Sequence, residues 1–272
     1  MSINDVSKEI PTHFLEKGLD HFSPSQGTMP IDQWVFKYWY SNQKQRRQFK
    51  TNSKMNSGVS VGDAVDNYFT KGEITKSLKL YVPYDEKDAD QLKQDKESYL
   101  PTLENTIRAY EKLGITQNGK NVFEHYVNLQ PEGVAVPIIG RTDLQNDEIV
   151  IELKTKWRRR GALKKDGTRG YSAMKPPTTP DSNHLKQASF YHLCTKLPTY
   201  IVYATEKDAE IIDIRDYNYK NAFDEMVRSL LIKSRIASQK DPHLYVDVDW
   251  SHFAWDIGDE HLKRAKDLFY GS

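Results

Sequence analysis

Residues 140–154 read GRTDLQNDEIVIELK. Gln145-Asn146-Asp147 separates two runs with strand character, and Asn and Asp tolerate turn geometry, so a hairpin closes near Asn146. Side chains alternate along a strand, which puts Glu152 and Lys154 on one face and Ile151 and Leu153 on the other. The hairpin brings Asp143 beside Glu152, so two carboxylates and one ammonium converge at a strand end. Adjacent carboxylates are costly to ionise together. A divalent cation removes that cost, and Mg²⁺ favours one or two carboxylates with water and substrate phosphate. Lys154 is then placed to orient or help deprotonate a metal-bound water. The bland alternative is a solvated strand face with one exposed salt bridge. Against it, Glu152 interrupts an apolar strand, where an unpaired charge is expensive.

Working outward, residues 122–129, 134–144 and 148–156 read as three strands, with Pro137 marking an edge or bulge in the second. Residues 157–181 are rich in Gly, Pro and charge and read as a long loop. Asp181-Ser182-Asn183 offers N-caps for a helix to about Thr195. Residues 198–205 and 209–214 read as strands, and 219–238 and 259–269 as helices. Upstream, 31–49 looks helical and aromatic. In 57–70, Val61, Val65 and Phe69 repeat at four-residue spacing on one helix face. Residues 84–99 are acidic and read as exposed, and 98–113 as a helix. The order predicts an α/β sandwich, a mixed central β-sheet flanked by helices with a helical N-terminal region. We read 1–272 as a single domain, mainly helical over 1–115, a sheet core over 116–215, and helical over 216–272.

The 272 residues are 38% hydrophobic and 28% charged, which suits a folded chain and not a disordered one. The single cysteine, Cys194, excludes an intrachain disulfide and a cysteine-ligated zinc or iron–sulfur cluster. The longest apolar run, about Val134 to Ile139, is too short for a membrane span, and Met1–Phe14 lacks an apolar signal core. A cytoplasmic, unsecreted protein is expected.

Downstream of the lysine strand, Gln187 and Tyr191 stand four apart and project from one helix face. The ordered set Asp143, Glu152-Leu153-Lys154, Gln187-x-x-x-Tyr191 resembles the PD-(D/E)XK nuclease superfamily, and within it the RecB-type exonucleases. Two upstream pieces are similar to segments of that group: Ser23-Pro24-Ser25 before the aromatic, basic helix, and Gly62-Asp63-Ala64-Val65-Asp66. The resemblance spans about residues 23–205 and implies a restriction-endonuclease-like core. It also implies that Asp143 and Glu152 bind Mg²⁺ or Mn²⁺, with the Leu153 carbonyl as a further ligand and Asp66 completing the shell. Lys154 would act on the attacking water, while Gln187 and Tyr191 position it and a DNA phosphate. Thr142 stands where the family's name-giving Pro would be, and Asp66 replaces the commoner His or Glu. The implied activity is metal-dependent DNA exonucleolysis at ends or in single strands, in recombination, repair or replication. DNA is the partner, with a single-strand-binding or recombination protein as a second. A structure-specific endonuclease and a catalytically silent DNA-binding module are the alternatives.

The net charge of +1 hides its arrangement. Residues 154–175 carry +8 and residues 37–54 carry +6, leaving −13 for the rest. Basic groups neutralise phosphates and aromatics stack unpaired bases, so Lys156, Trp157, Arg158, Arg159, Arg160, Lys164 and Lys165, with Arg46 and Arg47, are the candidate nucleic-acid contacts. The aromatics of residues 34–40 read as core. His184 is near Gln187 and within reach of a phosphate, or is a plain capping histidine.

Overall fold

The structure, a computed structural model, describes residues 10–49, 51–117, 119–163, 165 and 169–271. Lys164, a candidate DNA contact, and Lys50 lie outside the described residues. The chain forms two compact units that interleave in sequence. The first is Met1–Lys50, Tyr126–Gly140 and Tyr219–Ser272, and the second is Thr51–His125 and Arg141–Asn218. The chain changes unit inside two strands, where composition does not shift.

The first unit opens with α1 (Thr12–Glu16), α2 (Pro24–Thr28), α3 (Ile31–Trp34) running into a π-helical turn (Val35–Trp39), and α4 (Gln43–Arg47). The stretch expected as one helix is thus broken. Asn42 and Gln45 form a capping box that starts a new helix. Trp34, Val35, Phe36 and Trp39 are buried, as their apolar spacing requires.

The second unit begins with α5 (Ser53–Lys71), capped by the Asn52 side chain and ended by Gly72 in the left-handed region. Next comes α6 (Glu86–Lys112), one helix of 27 residues that absorbs the stretch expected to be exposed and acidic. Two of its acids, Asp88 and Asp95, turn inward because they find donors, while Glu86, Asp90 and Glu97 are exposed. Asp95 accepts from Ser53 Oγ (2.5 Å), Ser57 Oγ (3.2 Å) and Gln91 Nε2 (2.7 Å). Asp88 accepts from Ser53 N (2.8 Å) and Tyr81 OH (2.6 Å). Buried carboxylates are tolerated when hydrogen-bonded, and hydropathy alone does not register that.

The strands are β1 (Val122–Leu129), β2 (Ile138–Gln145), β3 (Val150–Thr155), β4 (Arg159–Leu163) and β5 (Arg169–Ser172). They are followed by α7 (Ser182–Thr195), β6 (Thr199–Ala204) and β7 (Ala209–Asp213). The chain then returns to the first unit with α8 (Tyr219–Ala237) and α9 (Asp259–Tyr270). The order β1-β2-β3-β6-β7 forms one mixed sheet. β2 and β3 are antiparallel, β3 and β6 parallel across the α7 connection, and β6 and β7 antiparallel. The expected α/β class stands. β4 and β5 form a separate two-stranded ribbon inside what reads as a loop. Its glycines permit a close approach: a Cβ at Gly161 would sit 3.2 Å from the Gly170 carbonyl oxygen. The core of the second unit joins Val61, Val65 and Phe69 of α5 to Tyr99, Leu103 and Tyr110 of α6, and to Leu144, Ile151 and Val202 of the sheet. Among the described residues, no helix is long and apolar enough to cross a membrane.

In the first unit, Gly27 of α2 meets α8, where a Cβ would collide with Met226 Cγ. Lys233 of α8, fully buried, donates to the carbonyls of Gln26 (2.5 Å) and Met29 (2.6 Å). Gly27→Ala should therefore destabilise the protein by about 1–3 kcal/mol through overpacking. Urea denaturation would show this as a lower midpoint at unchanged slope.

Candidate active site: a buried carboxylate pair beside a lysine

The register of β2 on β3 pairs Leu144 with Ile151 and Gln145 with Val150, so the next pair inward is Asp143 with Glu152. Glu152 is 2% exposed, and Asp143 Oδ2 accepts the Leu153 N–H at 2.6 Å. Lys154 Nζ donates to Glu152 Oε1 at 2.5 Å and to Gln187 Oε1 at 3.0 Å. Gln187 Nε2 donates to Tyr191 OH at 3.0 Å, and Tyr191 OH donates to the Arg141 carbonyl at 2.9 Å. Five residues from β2, β3 and α7 thus form one hydrogen-bonded chain that returns to the strand carrying Asp143. The spacing of Gln187 and Tyr191 is the helical spacing that lets both reach the sheet.

Electrostatics follow from burial. Desolvation, aided by the neighbouring Asp143, raises the Glu152 carboxyl to about 8. Desolvation also raises Asp143, against the pull of the Lys154 charge and the Leu153 N–H. Burial would lower Lys154, but Glu152 and Asp143 outweigh it and hold the ammonium above its ordinary value. Tyr191 is raised by burial and then by Glu152. Without a cation, one carboxyl therefore stays protonated at neutral pH while the lysine stays charged.

Glu152 Oε2 is buried and has no hydrogen-bond partner. An orphaned buried carboxylate oxygen beside a second carboxylate is a donor set that fits a hard divalent cation such as Mg²⁺ or Mn²⁺. Asp66, on α5, lines the same cleft. Among the described residues, however, no three His, Cys, Asp or Glu side chains come together as a ligand set.

The cleft measures about 910 Å³, and Leu153 and Tyr110 are among its walls. Lys54, Lys156 and Arg159 line it and form no ion pair with the described residues. Sequence reasoning missed Glu124, which lines the cleft, pairs with Arg141 at 3.0 Å, and holds φ at +52°. A non-glycine residue in that region is uncommon in a strand, and no sequence signal marks it. Asp63, paired with Lys79, was quoted only as part of a motif.

The basic run divides. Trp157 is buried in the core with its indole N–H on Thr155 Oγ1 (3.1 Å), and it also forms part of the cleft wall. Arg158 is consumed by Glu206 (2.8 Å), Glu97 (2.6 Å) and Gln94 (2.8 Å), which removes it from the phosphate contacts. Arg160 faces Asp90 at 3.6 Å. Lys156 stands 5.6 Å from the Tyr203 ring centroid, and Lys165 is exposed. Arg46 and Arg47 belong to the other unit. Arg46 donates to the Tyr38 and Ser41 carbonyls, and Arg47 is exposed. Acids distant in sequence claimed the arginines that a local charge count leaves free.

No protein-family model matches the chain, and no curated protein does. One solved structure, described as "Crystal structure of SSO0001", is similar at 13% identity over 74% of this chain and 84% of that one. Its TM-score of 0.29 is too low to carry an argument about fold or function.

Two outcomes follow from this geometry. Arg158→Ala should destabilise the fold by about 1–3 kcal/mol, since it leaves Glu206 and Glu97 unpaired. Thermal and urea denaturation would register the loss. For Glu152, the native carboxyl binds its proton more tightly than the unfolded one, whose value is near 4.5. Its contribution is present below about pH 4.5 and is lost as pH rises through about 8. In chelator, stability should fall across that window by on the order of a few kcal/mol, and Glu152→Gln should flatten the fall. Denaturation midpoints at pH 5, 7 and 9 measure both.

Proposed function

We propose that the second unit is a metal-dependent phosphodiesterase acting on DNA, an exonuclease of ends or single strands. The observation that carries this reading is the buried Asp143–Glu152–Lys154 cluster, with Glu152 Oε2 left without a donor, at a cleft that Asp143 and Lys154 line together with Lys54, Lys156 and Arg159. Such a pair is costly to keep in a fold unless a cation and an anionic substrate use it. Mg²⁺ or Mn²⁺, when bound, supplies charge neutralisation and an activated water.

The chain's own residues do the rest. Asp143 and Glu152 would hold the cation, with the Leu153 carbonyl as a further ligand. Lys154 remains protonated beside its carboxylates, which suits a donor that orients the attacking water or steadies charge on the phosphate. Gln187 accepts from Lys154 and is itself fixed through Tyr191, so the ammonium is aimed by α7. Lys54, Lys156 and Arg159 balance phosphate charge along the cleft.

A gel assay tests the reading. End-labelled single- and double-stranded DNA should be degraded with Mg²⁺ or Mn²⁺ and left intact with chelator. Asp143→Asn, Glu152→Gln and Lys154→Ala should each lower the rate by about 10²-fold or more while keeping the fold. A covalently closed circle should survive; its cleavage would indicate an endonuclease on the same core. Metal-dependent binding with no turnover would indicate a silent binding module. Wild-type rates in Asp143→Asn or Lys154→Ala would remove the site assignment.

A further inference from the structure

His184 opens the face of α7 that continues with Gln187 and Tyr191, at helical intervals of three and four. Its Nδ1 lies 2.8 Å from Tyr203 OH. Tyr203 is fully buried on β6, and its oxygen also receives the Asp181 N–H at 2.9 Å. A phenol has one proton to give, and a buried hydroxyl must place it on an acceptor. With Asp181 N–H on the accepting side, the only acceptor recorded for that proton among the described residues is His184 Nδ1. The reverse arrangement, Nδ1–H donating to Tyr203, would strand the hydroxyl proton in the interior. The ring therefore carries its hydrogen on Nε2, which bonds to no described residue. The imidazole lines the cleft together with Lys154, Lys156 and Asp143. Burial first, then the charges of Lys154 and Lys156, lower its pKa to about 4, so the ring is neutral at pH 7.

We infer that His184 is a substrate-binding residue, locked by Tyr203 as the Nε2–H tautomer so that it donates a hydrogen bond to a phosphate oxygen of the strand in the cleft. The inference rests on the phosphodiesterase reading above and adds a contact to it. A neutral donor beside two lysines adds a hydrogen bond without adding to their mutual repulsion. Because the locked tautomer keeps Nε2 protonated, His184 is a donor and not a cation ligand.

Long-range ¹H–¹⁵N correlation spectra of the full chain at pH 7 read the ring directly, with the His184→Gln variant assigning its signals. The expected result is a protonated Nε2 and a bare Nδ1. A protonated Nδ1, or an imidazolium, overturns the inference. Fluorescence anisotropy with a short single-stranded oligodeoxynucleotide, in chelator to stop cleavage, supplies the second measurement. His184→Ala should weaken binding about tenfold. His184→Gln, which keeps an N–H near the Nε2 position, should recover most of that loss. Tyr203→Phe should weaken binding and give a mixed tautomer spectrum at retained melting behaviour. If the wild type binds and cleaves while His184→Ala binds equally well, this inference fails alone. If the wild type neither binds the oligonucleotide in chelator nor cleaves it with Mg²⁺ or Mn²⁺, the functional reading fails and this inference with it, whatever the spectrum shows.

Discussion

Everything at the site depends on one pairing, Asp143 opposite Glu152 across β2 and β3. The register that puts Leu144 against Ile151 carries on to set these two residues side by side. A slip of one residue would turn one of them to the opposite face of the sheet. The core enforces the register, because Leu144 and Ile151 are both fully buried among the apolar residues of α5 and α6. Apolar packing thus holds two acids in a place that solvation would not choose.

The fold answers that cost in part. Lys154 shares its charge with Glu152, and the Leu153 N–H points at Asp143. Gln187 and Tyr191 then anchor the lysine to the backbone of β2 through Arg141. With one carboxyl protonated, Lys154 balances the remaining carboxylate, and Glu152 Oε2 still finds no donor. A divalent cation has the charge and oxygen preference to take that proton's place.

The positive charge of residues 154–175 turns out to have two uses. Arg158 bridges α6 and the segment after β6 through Glu97 and Glu206, and Trp157 fills the core. Lys156 and Arg159 stay in the cleft with Lys54. The same run of sequence both braces the second unit and lines its cleft.

How much of this was legible beforehand differs by residue. The period-2 runs, the Asn146 turn and the alternation around Glu152 are local, so the sequence alone specified the hairpin, the face shared by Glu152 and Lys154, and the mixed α/β order. The four-residue step from Gln187 to Tyr191 is equally local. Only tertiary structure decided that Asp88 and Asp95 are buried, since their donors Ser53, Ser57 and Tyr81 come from other segments. Only it decided that Arg158 is spent on Glu97 and Glu206, and that His184 leans on Tyr203. The physical reason is common to all of these. A side chain's type and spacing fix what it can do, but desolvation and the nearest opposite charge, both set by residues far away in the chain, fix what it does.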